Sequence, residues 1–419
     1  MNKVLPAIAL FVALTSAAQE AELTDDQADL RLNPEIEEVA ASDDIDYSAY
    51  PFIRLHHNKI ALNGDDWSQL ADKFAAASRG EGKFTVVYLG DSHIQADFGG
   101  SVLRDRLTQA SRSAGRGLII PYKLAGTNQP NDYSIGMTSA YTSSKLMRTP
   151  WATEMPFTGI GLQPQTHDFS LSIKSPTPTR KLRFHSRGSN AVAKTVRADG
   201  KPVDFSCSVD GNGLTVIDVD TPASNFDIGF SSDKTTVFGG IELISDSTGT
   251  VVHSIGNNGA TFSAYATTDK FGSGLATLSP DLVIIALGTN EAFGRTSAET
   301  IQNDVDVLLS AIRSHSPEAK ILLVGPTECY KKVYRRRRKG RRRTAYSVVN
   351  TKTADMARAI REYAEGEGVA YYNLYAVAGS AAKMKSARVL SRDGVHFTAT
   401  GYRLWGNLLS DALLKQLQK

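Results

Sequence analysis

The sequence predicts an α/β protein built on a mostly parallel sheet and interrupted by an inserted antiparallel β-sandwich. Two observations carry this reading. The apolar runs over 84–89 and 282–287 each stop on a polar turn and alternate with helix-period segments, as parallel strands joined by crossover helices do. Between about Trp151 and Ser247 the period falls to two, in short runs such as Phe169-Ser-Leu-Ser-Ile173 and Phe226-Asp-Ile-Gly-Phe230 separated by Gly, Pro, Asn and Asp.

The elements follow in order. Lys3, an apolar run over 4–14 and the small residues Ser16-Ala17-Ala18 read as a secretory signal over residues 1–18. That run is too short to span a bilayer, and no later stretch is long enough, so an exported protein, periplasmic or secreted, is expected. Residues 19–59 form an amino-terminal arm, acidic because Glu20 to Asp46 hold eleven acids against Arg31 alone. A helix begins near Asp65-Asp66, with Trp67, Leu70 and Phe74 on one face. The strand over 84–89 and a helix over 99–113 make a strand, turn and helix unit.

This first flank runs from residue 60 to 150, the insert from 151 to 247 and the second flank from 248 to 419. In the second flank, strands are expected at 251–255, 282–287, 321–324 and 369–374, with helices at 297–314, 346–365 and 400–418. With 419 residues, 41% of them hydrophobic, the chain can bury a large core. Cys207 and Cys329 stand far apart in sequence and lack zinc-site spacing. His56 and His57 have no acid or cysteine cluster beside them, so no metal site is expected.

Three buried strands end in turns bearing the groups that acyl transfer needs. Gly90-Asp-Ser-His93 presents Ser92, a nucleophile that depends on a base to take its proton. Gly259 offers a bare backbone N–H, Asn290 a side-chain amide and Ser92 its own N–H, three candidate donors to an oxyanion. Asp393-Gly-Val-His396 places a carboxylate and an imidazole three residues apart, so that Asp393 can orient His396 as the base. The rival nucleophile signature G-x-S-x-G fails because Ile94 holds its last position.

In this order the residues resemble the SGNH (GDSL-like) hydrolase superfamily, through Gly90-Asp-Ser-His93, Gly256-Asn-Asn-Gly-Ala-Thr261, Gly288-Thr-Asn290 and Asp393-Gly-Val-His396. The resemblance implies a three-layer α/β/α domain with Ser92, His396 and Asp393 as catalytic residues and Ser92, Gly259 and Asn290 as the oxyanion hole, with no cofactor. A sandwich placed between the first two blocks resembles the peptidoglycan O-acetylesterases of Gram-negative bacteria, whose insert is a carbohydrate-binding-like, jelly-roll-like module. This implies removal of O-acetyl or other small acyl groups from a carbohydrate polymer such as peptidoglycan. Alternatives are a lipase, thioesterase or arylesterase of the same superfamily, and a carbohydrate-binding protein with a vestigial hydrolase domain. His93 departs from the leucine of the family name and is a candidate contact to substrate.

The run from Lys331 to Arg343 carries ten Lys/Arg and no acid, and it follows a strand that ends at the site. It is expected to attract anionic polymer or else to be a solvated loop. The export signal and the lack of interleaved aromatics exclude nucleic acid as its partner.

Overall fold

The computed structural model describes residues 45–336 and 343–419. The expected signal, nearly all of the acidic arm and the centre of the basic run lie outside the described residues.

One sheet has the strand order Ile60–Ala61, Ala370–Tyr372, Lys320–Val324, Leu282–Ala286, Lys83–Gly90, Gly249–Gly256; its first pair is antiparallel and all others are parallel. Because successive side chains of a strand face opposite ways, Val87 and Leu89 of the central strand enter one apolar layer and Phe84, Val86 and Tyr88 another. The first layer is covered by helices Phe262–Ala266, Phe271–Ala276, Ala298–Arg313 and Lys352–Gly366; the second by Ser68–Arg79, Phe98–Ser111 and Ala399–Leu417. This is the expected three-layer arrangement. The chain reverses direction across the sheet at Lys83–Gly90, since the strand that follows it lies on one side and the next on the other. Open α/β sheets bind ligands at such a switch point, outside the carboxyl ends of the strands.

The second sheet is antiparallel and has ten strands among the described residues. Its centre is the pair Asp168–Arg187 and Thr215–Ser231, and its apolar face buries Phe169, Phe184, Phe226, Phe230 and Phe238 in a third core. Sequence reading splits each of these long strands in two. The chain stays extended through Pro176 and Pro178 and through 219–224, where the ladder shifts register and resumes. The sheet also recruits Gly117–Ile119, Ser134–Met137 and Tyr141–Lys145, upstream of the expected boundary at residue 151, because each finds an antiparallel partner in the insert. Leu118 of this sheet, with Ile120, Leu146 and Phe157 of its connecting segments, joins the apolar layer of Val87 and Leu89.

One further expectation is corrected. Residues 346–349 are strand, not helix: Tyr330–Arg336 and Arg343–Val349 form a two-stranded hairpin, and the helix starts only at Lys352. Tyr346-Ser-Val-Val349 is rich in aromatic and β-branched side chains, which favour pairing across a hairpin over the helix its position suggested.

Candidate active site

The parallel strands deliver the predicted groups to one edge. Gly90 ends its strand, Asp91 caps a one-turn helix by accepting the His93 N–H at 2.9 Å, and Ser92 opens that helix. The adjacent strand ends at Gly256, where any Cβ would collide with the backbone of Gln95, so glycine there lets the helix of Ser92 lie flat against the next loop. Gly259 lies beyond, with φ +80 and only Met147 near the place of a Cβ. On the other side, Leu282–Ala286 leads into Asn290.

His396 comes from the far end of the chain, held in a turn closed by the Ser391 N–H on the His396 carbonyl at 2.8 Å. Its Nε2 lies 2.9 Å from Ser92 Oγ and its Nδ1 2.7 Å from Asp393 Oδ2. His396 is 1% exposed and Ser92 5%, so this chain of hydrogen bonds is largely shielded from water. Burial alone would push the Asp393 carboxyl up. Hydrogen bonds from His396, Ser391 and the Val395 N–H outweigh it and hold the group well below the usual carboxylate range. An ionised Asp393 accepts only, which puts a proton on Nδ1 and leaves Nε2 free to take one from Ser92.

Asn290 Nδ2 donates to Asp91 Oδ2 and to the Ala260 carbonyl, both at 3.0 Å. Both hydrogens of the expected oxyanion donor are therefore engaged in the free protein. Asp91 thus holds the turn, as its place in the motif suggests, and also aims the Asn290 amide. Burial raises the Asp91 carboxyl to about 6, against the pull of the His93 N–H and His396. Glu291, also buried, is raised to about 7; its Oε1 accepts the Phe262 N–H at 2.8 Å and so pins the loop that carries Gly259.

His93 packs its ring 5.1 Å from those of both His396 and Phe397, with Nδ1 3.2 Å from the Tyr402 hydroxyl. Burial lowers it to about 3, so it is neutral at working pH. It lines an apolar cavity of about 70 Å³ together with Tyr88, Phe397, Tyr402 and Trp405. The rings of His56 and His57 lie against one another at a tilt of 43°, 4.1 Å between centroids. Cys207 is exposed and Cys329 buried, and both are free.

Residues 234–404 match the model of the GDSL-like Lipase/Acylhydrolase family. The structure titled "Peptidoglycan O-acetylesterase in action, 5 min" superposes with a TM-score of 0.68 over 86% of this chain and 99% of that one, at 21% sequence identity. The fold is that of an SGNH, or GDSL-like, hydrolase. Less extensive likenesses to this SGNH fold include a lipase/acylhydrolase from Enterococcus faecalis, with TM-score 0.29, 20% identity and 40% of this chain against 77% of that one. A carbohydrate esterase family 3 structure from Talaromyces cellulolyticus has TM-score 0.29, 17% identity and 41% against 72% coverage. No curated protein matches the chain. No described helix is long and apolar enough to cross a membrane.

Motif reading passed over Gln95, Thr127 and Asn258. Gln95 had a signal available, since it stands three residues after Ser92 on the same short helix and so shares its side. Thr127 had none, because it meets the site only through the path of the insert.

Proposed function

We propose that this protein is an exported serine esterase that removes O-acetyl or other small acyl groups from carbohydrate, with peptidoglycan the favoured polymer. The observation that carries the reading is the hydrogen-bonded series Ser92, His396, Asp393 at the switch point of the parallel sheet. The extent of the likeness to a peptidoglycan O-acetylesterase fold, insert included, supports the polymer.

In this mechanism Ser92 Oγ attacks the ester carbonyl as His396 Nε2 takes its proton, and the imidazolium is stabilised by Asp393. The oxyanion is met by the N–H groups of Ser92 and Gly259 and by Asn290. For Asn290 one existing bond has to yield; the neutral Ala260 carbonyl is a weaker acceptor than a full oxyanion, so that hydrogen is the one exchanged. His396 then gives that proton to the sugar oxygen as its bond to the acyl carbon breaks, freeing a hydroxyl, and water releases the acid from the acyl-enzyme through the same base.

The long-chain lipase or thioesterase alternative needs an apolar trench open to Ser92, and the apolar cavity beside His93 is not lined by Ser92, Gly259 or Asn290. The test is acetate release from O-acetylated peptidoglycan. Ser92→Ala should lose at least about 10³-fold in kcat with its melting curve intact, and Asn290→Ala about 10²-fold in kcat with little change in KM. Undiminished turnover by folded Ser92→Ala protein would refute the mechanism.

A further inference from the structure

The polar groups beside Gly259 are not used up by this chemistry. Gln95 Nε2 donates to Thr127 Oγ1 and to the Asn128 carbonyl, both at 2.8 Å, and Gln95 Oε1 accepts the Asn258 N–H at 2.7 Å. Asn258 Nδ2 reaches Thr127 Oγ1 at 3.3 Å. One glutamine thus ties the nucleophile's helix, the loop of Gly259 and the segment leading into the insert. Two atoms of this knot are left over. Asn258 Oδ1, an acceptor, and Asn128 Nδ2, a donor, are closed to solvent and have no hydrogen-bond partner among the described residues. Native structures pair nearly all such atoms, and both side chains are only partly buried, so a small turn of each amide would offer one of each kind to a partner from outside.

We propose that Asn128 and Asn258 form a carbohydrate subsite on the Gly259 side of Ser92, where one sugar hydroxyl accepts from Asn128 Nδ2 and donates to Asn258 Oδ1. A hydroxyl supplies a donor and an acceptor from a single atom, which matches this pair. The inference rests on the carbohydrate-esterase reading of Ser92 and names where that substrate is held. A loop of the antiparallel sheet comes up to Gly259, the neighbour of Asn258. Met147 Cγ stands 3.7 Å from where a Gly259 Cβ would lie. Trp151, partly exposed, has its indole N–H fixed on the Leu146 carbonyl at 3.0 Å, which leaves an apolar ring of the kind sugar faces pack on. The turn from Lys145 to Arg148 is closed by a 2.9 Å backbone bond, and Lys145 Nζ reaches the Gly126 carbonyl at 3.5 Å, next to Thr127. Two cations at this rim favour a sugar bearing a carboxylate over a neutral one.

The experiment measures binding, not cleavage. Ser92→Ala protein is titrated calorimetrically with an unacetylated disaccharide of N-acetylglucosamine and N-acetylmuramic acid, and with chitobiose as the neutral control. Adding Asn128→Ala or, separately, Asn258→Ala should weaken disaccharide binding by roughly ten-fold or more, as expected when a site built to bond a hydroxyl loses one arm. The acidic disaccharide should bind more tightly than chitobiose at low salt. If Ser92→Ala protein binds neither sugar, or if both folded double variants bind as tightly as it does, the leftover atoms meet only water and the proposal falls. The two readings fail separately. Sugar binding that needs both asparagines, in a protein that releases no acetate, would leave the subsite and remove the esterase; acetate release with binding indifferent to both would do the reverse.

Discussion

The parallel sheet ends its central strands in loops that each carry a polar group to one edge, whereas the antiparallel sheet closes over its own apolar face and lends the site only its connecting loops. The difference follows from how each sheet is hydrogen-bonded. Parallel neighbours all point the same way, so their carboxyl ends gather Ser92, Gly259 and Asn290 without further arrangement. Antiparallel neighbours alternate, and what reaches the site depends on where a loop happens to be anchored. Here the anchors are specific: Asn257 Nδ2 donates to the Thr158 carbonyl at 2.9 Å, and the Leu118 N–H donates to His253 Nδ1 at 3.1 Å.

The most severe way to break this comparison is to remove residues 151–247 and join the ends with a short linker. Strands 117–119, 134–137 and 141–145 would lose their partners and Asn257 one of its two acceptors. The expected outcome is loss of cooperative melting, and with it hydrolysis of even a small acetyl ester. Retained small-ester turnover would show the two sheets to be energetically separable.

A milder break is Asp97→Ala. Asp97 Oδ2 accepts from Arg104 at 2.8 Å and from Arg116 at 3.0 Å, and Arg116 Nε lies 2.5 Å from Asp132, so the carboxylate braces the helix behind Ser92 against the chain leading into the antiparallel sheet. Removing it leaves two buried guanidinium groups short of a partner, which should cost about 3–5 kcal/mol in chemical denaturation.

The two regions also differ in the sign of their pH dependence. At the site edge, Glu291 is raised from 4.5 to about 7 by burial, so the folded state keeps a proton that the unfolded chain gives up. Stability from this group is full below about 4.5 and is lost as pH rises through 7. Glu291→Gln should therefore leave the protein more stable than wild type at pH 8, by up to about 3 kcal/mol, and little changed at pH 4.5. In the antiparallel sheet, Glu242 is buried too, but His185, 3.5 Å away, together with the charged groups around it, Arg183 at 2.9 Å among them, outweighs burial and lowers it to about 2. Its contribution is present above about 4.5 and is lost as pH falls through 2, so Glu242→Gln should destabilise at pH 7. Equal pH profiles for the two variants would erase the contrast.

The smallest expected effect belongs to the basic hairpin. Its foot is fixed to the site, since the Tyr330 N–H bonds the Gly394 carbonyl at 2.8 Å and Asn350 Nδ2 bonds the Ala292 carbonyl at 3.0 Å. Exchanging Lys331 and Lys332 for serine, together with the arginines at 335–338 and 341–343, should weaken binding to acidic cell-wall polymer at low salt and have little effect at high salt, where screening reaches within about 3 Å. Unchanged binding in a low-salt sedimentation assay would leave the hairpin a solvated ornament of the fold.

From the sequence alone came the parallel α/β plan, the presence of a β-rich insert, and the motif residues at the ends of their strands. These are legible because a buried parallel strand must be apolar along its whole length and must stop where the backbone turns, so both the run and its ending are written locally. Contacts between segments distant in the chain are not. The 2.9 Å approach of His396 to Ser92, across 304 residues, could be expected from chemistry but only the fold supplies it. That both Asn290 hydrogens are engaged, that Asp91 and Glu291 are raised while Asp393 is held low, and that Gln95 joins Thr127 to Asn258 depend on burial and on partners brought together by packing. The same holds for the long antiparallel strands and the hairpin at 330–349. A two-residue period marks a strand but not its partner or its register, and those are settled only when the strands meet.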